Sequence, residues 1–139
     1  MNKYDITRLE QTLRRVISEM GVSRKVFSVR PYSVPESMDD FVVARVGSDV
    51  TDTGCYGYCR VYISLFAKNV DGLKNGAKLS SMYQKFMSRF PQSIDGYEFG
   101  NTPTVVGDKG DDFNFHSRVI KIETIIKVNQ NGNTYRSNA

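Results

Sequence analysis

The feature that most limits what this chain can fold into is an alternating run over residues 115–128. Ile120, Ile122, Thr124, Ile126 and Val128 fall on one side of an extended backbone, and Val119, Lys121, Glu123, Ile125 and Lys127 fall on the other. Period-two alternation marks a strand with one buried face. A second run, residues 59–68, repeats the pattern: Val61, Ile63, Leu65 and Ala67 share one face, while Arg60, Tyr62, Ser64, Phe66 and Lys68 share the other. The apolar faces of two such strands require a second layer, and a helix is expected to supply it.

Two segments can do so. Over residues 5–20, Ile6, Leu9, Leu13, Val16, Ile17 and Met20 recur at helical spacing, with Asp5 placed to cap the start and Gly21 to stop the helix. Over residues 72–90, Leu79, Met82, Tyr83, Phe86 and Phe90 form an apolar stripe, extended backward by Leu73 and Ala77 and ended by Pro91. Met and aromatic residues at this spacing read as core rather than as a cofactor box.

The rest is extended or irregular. Residues 26–29 alternate briefly before Pro31 and Pro35, which belong at a sheet edge or in a loop. Residues 41–46 read as a strand, 47–58 as a long hairpin connection, 97–99 as a short extended piece and 100–112 as a Gly/Asp-rich loop. Residues 129–139 are Asn/Gly-rich with almost no apolar content, and are expected to be disordered. A chain of 139 residues buries about 68% of its unfolded surface, enough for one core. The expected class is therefore α+β, with two helices packed on a mainly antiparallel sheet in a single domain over residues 1–128.

The residue inventory narrows the chemistry. Apolar stretches fall far short of the roughly 20 residues of a membrane span, and no apolar run follows Lys3, so a cytoplasmic protein is expected. There is one histidine, His116, and two cysteines, Cys55 and Cys59, which form no second pair for a zinc site and are expected to be free thiols. Ser117 beside His116 points to the opposite strand face, a poor arrangement for proton transfer. Asp108, Asp111 and Asp112 lie among glycines but lack the ligand order of a calcium loop, and no glycine-rich phosphate loop is present. No enzymatic activity, metal or cofactor is expected.

Charge alternates in blocks: +4 over residues 1–34, −4 over 35–55, +3 over 56–98 and +1 over 99–139. Nucleic-acid binders more often carry one continuous basic stripe, whereas alternating patches suit a self-assembling subunit equally well. The order of elements resembles the tail terminator proteins (tail completion, minor tail or head-tail joining) of long-tailed bacteriophages and prophages. The likeness runs from Ile6 to Val128. It rests on the N-terminal helix, the proline-bearing segment 29–35, the strand 41–46, the strand 60–67 leading into helix 72–90, and a closing strand introduced by Asp111-Asp112-Phe113-Asn114-Phe115-His116-Ser117-Arg118. The segment Thr53 to Cys59 departs from it. The resemblance implies a ring, usually of six copies, that caps the tail tube in the host cytoplasm and joins it to the head in the finished virion. Its implied partners are the tail tube protein, the head-tail connector proteins and, in the lumen, passing DNA, with no membrane contact.

Two connections, 47–58 and 100–114, exceed the usual hairpin loop. Their carboxylates, Asp49 and Asp52 in one and Asp108, Asp111 and Asp112 in the other, are expected to be mobile in the free protein. In a ring they would pair with Lys78, Lys85 and Arg89 of a neighbouring copy. The alternatives are a host assembly or interaction domain, a nucleic-acid module using basic helix faces around Arg14, Arg15, Lys78 and Lys85, and a small enzyme with a pocket at His116.

Overall fold

The computed structural model describes residues 4–47, 49–110 and 113–127. Helix α1 (Ile6–Glu19) starts where Asp5 accepts a 3.0 Å hydrogen bond from the Arg8 N–H. It ends at Met20, followed by Gly21 at φ +75°, a conformation that glycine adopts without cost. Eight strands follow in one sheet: β1 (Val26–Phe27), β2 (Asp40–Val46), β3 (Thr51–Asp52), β4 (Tyr56–Lys68), then after helix α2 (Gly76–Arg89) β5 (Ser93–Ile94), β6 (Tyr97–Phe99), β7 (Thr104–Gly110) and β8 (Phe115–Lys127).

The two long alternating runs lie at the centre. β4 and β8 pair antiparallel along their whole length, from Tyr56↔Lys127 to Lys68↔Phe115. Each divides its outer edge between two shorter strands: β4 between β2 and β3, β8 between β7 and β6. β5 extends the sheet beyond β6, and β1 lies parallel to β2 in a sheet otherwise antiparallel. This is a single α+β domain, as expected.

Both helices cover one face. Leu9, Leu13 and Ile17 of α1 and Leu79, Met82 and Phe86 of α2 meet Val61, Ile63 and Leu65 of β4 and Ile120 and Ile122 of β8, all essentially without solvent contact. The opposite face carries a smaller cluster at one end, where Phe27, Val34 and Met38 lie against Phe41, Val43, Phe66 and Phe115.

Four expectations need correction. The strand at 26–29 stops at Phe27, ahead of Pro31. Helix α2 begins at Gly76, not at residue 72: Asn75 accepts the Lys78 N–H at 3.1 Å as its cap. Asp71 and Gly72 adopt positive φ in a turn that leaves Leu73 exposed. Residues 47–58 hold a small hairpin, because β3 pairs with Gly57 and Tyr58. The Gly/Asp-rich loop contains β7, in which two glycines are overridden by pairing with β8. The tail expected to be disordered, together with Val128, lies outside the described residues.

Candidate interaction surfaces

Lys78, Lys85 and Arg89 stand on α2, which carries no acidic residue. Lys78 Nζ is 2.8 Å from Asp40 Oδ2, and the Ser23 hydroxyl donates to Asp40 Oδ1, so one end of the ridge is already neutralised within the chain. Arg24, Lys25, Pro35, Met38 and Asp39 complete a cleft around this pair. Arg89 donates to the Met20 carbonyl at 2.6 Å, where a cation complements the C-terminal end of α1. Lys85 is exposed and has no ion-pair partner among the described residues.

The acidic positions are not gathered against this ridge. Asp52 accepts the Tyr4 hydroxyl at 2.7 Å and the Gly54 N–H at 2.8 Å, holding the β3–β4 hairpin closed. It lies beside Gly57, whereas Asp40 lies beside Ala67, about 33 Å away along β4 by strand geometry. Asp49 is exposed. Asp108 lies on β7 with its backbone in register with Arg118, while Asp111 and Asp112 fall outside the described residues. Both connections thus hold paired strands rather than open loop throughout.

The hairpin at Asp52 is locked by packing. A Cβ on Gly57 would stand 2.8 to 3.0 Å from three atoms of the Tyr4 ring, so only glycine lets the ring lie flat on β4. Burial, and then the hydrogen bond to Asp52, push the Tyr4 phenol up to about 12. Cys55 is exposed beside this hairpin and Cys59 is buried, both as free thiols, with burial pushing Cys59 up to about 11.

Two features escaped the sequence reading. The first is β7. It pairs only with β8, its other edge is unpaired among the described residues, and it exposes Val105 and Val106 at 41% and 51%. The second is the segment after β1. The Arg30 guanidinium lies 4.9 Å from the ring centroids of both Phe41 and Phe66 and 5.2 Å from that of Phe113, and Tyr32 stands outside, 89% exposed.

His116 Nδ1 lies 2.6 Å from Asn69 Oδ1, with its ring against Gly110. It sits within β8, so Ser117 projects from the opposite face. No described helix is long and apolar enough to cross a membrane.

No family model matches this chain, and no curated protein matches it. Solved structures do. One, of a protein designated only by a sequence number, aligns with a TM-score of 0.59 at 12% identity, over 88% of this chain and 94% of that one. Another, from the virion of a native gene transfer agent (GTA) particle, aligns with a TM-score of 0.49 at 10% identity, over 88% and 92%. At such identities a likeness is one of fold.

Proposed function

We propose that this chain is a structural subunit of a phage or phage-like particle: a ring-forming tail terminator or head-tail connector that caps the tail tube and joins it to the head, without enzymatic activity. The observation that carries the reading is the edge of β7 that is unpaired among the described residues. An unpaired strand with two exposed valines is a template for another chain, which a lone monomer normally avoids and an assembly subunit uses. The basic α2 ridge supports it, because Lys85 remains open to carboxylates of a neighbouring copy. The order of elements supports it independently of the edge. In this reading the exposed Asp49 is a carboxylate available between copies, while Asp52 and Lys78 reach a neighbour only by leaving Tyr4 and Asp40. The protein works in the host cytoplasm during assembly and then in the tail or neck of the virion.

Light scattering across a concentration series, with negative-stain imaging of the largest species, tests this reading. Closed rings are expected, and Val106→Lys, which places a charge beside the edge, should abolish them. A strict monomer that neither forms rings nor stops elongation of purified tail tubes would refute the assignment.

A further inference from the structure

The second face of the sheet is covered at one end only. There, residues from Phe27 to Met38 lie over Phe41 and Phe115. Toward the other end, no helix or strand of the described residues crosses the face, and register determines which side chains stand together. Arg45, Tyr62 and Lys121 form one cross-strand row, with the Arg45 guanidinium 4.4 Å from the Tyr62 ring centroid. Arg60 and Glu123 form the next row; Tyr58 and Ile125 follow, with Glu98 beside Ile125. Tyr56 and Lys127 close the face.

The charges on this surface do not cancel. Glu123 is paired with Arg60 at 3.2 Å and Glu98 with Lys127 at 2.8 Å. Arg45 and Lys121, flanking Tyr62, have no carboxylate partner among the described residues. Of the large exposed apolar side chains, Val29, Tyr32, Leu73 and Phe113 lie elsewhere, while Tyr56 and Val106 border this patch at its two ends, so its middle lacks the dry centre of a protein interface. What it has is a cationic sheet with interleaved tyrosines, and that chemistry suits a polyanion carrying flat rings.

We propose that this open half of the sheet binds single-stranded nucleic acid, with Arg45 and Lys121 on phosphates, Tyr58 offering its ring to a base and the Tyr62 ring holding the Arg45 guanidinium in place. Same-face side chains two apart in a strand stand about 7 Å from one another, so the two tyrosines are about 13 Å apart along β4 with Arg60 between them. A ring presented on such a sheet stacks a base without regard to sequence, while the cations follow the backbone. The inference stands on the sheet face alone and holds whether or not the chain forms a ring.

The test is fluorescence anisotropy of the full chain with a labelled oligothymidylate over a range of KCl concentrations. Binding is expected at low salt and weakens as salt rises, with a log–log slope of about −1.4 for two phosphate contacts. Replacing both cations, Arg45→Gln with Lys121→Gln, keeps the side-chain stems and should flatten that slope. Tyr58→Leu should weaken binding about tenfold, the scale of one lost base stack. Arg14→Ala, on the exposed side of α1, should leave affinity unchanged, and circular dichroism checks that each variant is folded. Absence of binding at low salt would overturn the proposal. So would loss with Arg14→Ala while the sheet variants bind normally, or tighter binding of duplex DNA of equal length with no effect of Tyr58→Leu.

Discussion

Leu65→Ala tests the central claim about the sheet, that odd positions of β4 face the helices. Leu65 has no solvent exposure and is in register with Val42 on one side and Arg118 on the other. Both neighbouring strands are held by their own hydrogen bonds, so the site cannot collapse around a smaller side chain. Leucine-to-alanine changes at rigid buried sites cost about 2.7–5.0 kcal/mol, and the enclosure here places the expected loss near about 3.5 kcal/mol. An unfolding entropy of about 2.1 cal/mol/K per residue makes each kcal/mol worth about 3.4 °C for 139 residues, so Tm should fall by about 12 °C. Ser64, one residue earlier, is half-buried on the face away from the helices between Val43 and Val119, and Ser64→Ala should cost less than about 0.5 kcal/mol. Differential scanning calorimetry of the two variants at equal protein concentration separates them. A fall of less than about 3 °C for Leu65→Ala, or an equal fall for Ser64→Ala, would mean that the faces are reversed.

Gly57→Ala should destabilise the chain by about 1–3 kcal/mol through displacement of the Tyr4 ring. In a double-mutant cycle most of that cost should vanish in a Tyr4→Ala background, and simple additivity would show that the contact is unimportant. Because the folded Tyr4 phenol holds its proton up to about 12 while an unfolded tyrosine releases it near 10, its stabilising share is complete below about pH 10 and is lost as pH rises toward 12. Urea titrations at about pH 9 and pH 11.5 should therefore show a smaller loss for Tyr4→Phe than for the parent chain; equal losses would contradict it. A thiol reagent near neutral pH should modify Cys55 alone in the folded protein and both cysteines in denaturant, whereas two fast thiols in the native state would contradict the burial of Cys59.

Much of this architecture is legible in the chain because its strongest periodicities belong to its most buried elements. The alternation in β4 and β8 and the stripes Leu9–Leu13–Ile17 and Leu79–Met82–Phe86 each answer to the same core. The weak elements are those whose strand character is borrowed. β7 carries glycines at 107 and 110 and becomes a strand because β8 offers an edge, and β3 forms because Tyr4 and Asp52 clamp its hairpin. β5 and β6 could have been read as a pair from the Asp95-Gly96 dipeptide, whose two positive φ angles match the tight hairpin turn such a pair favours. The charged positions were legible as residues but not as partners. Nothing local in the sequence says that Lys78 meets Asp40, 38 positions away, or that Asp52 is engaged by Tyr4.

The central place of β8 also governs when the chain can fold during its synthesis. Tyr56 and Lys127 are paired across 71 positions, and between them the chain makes a helix and three further strands. Until β8 has left the ribosome, β4 has one edge bare and the helices have only part of a sheet to cover. The domain therefore folds after translation of β8 rather than progressively, and the nascent chain carries an exposed apolar strand edge in the interval, when it is most open to aggregation or to chaperone capture.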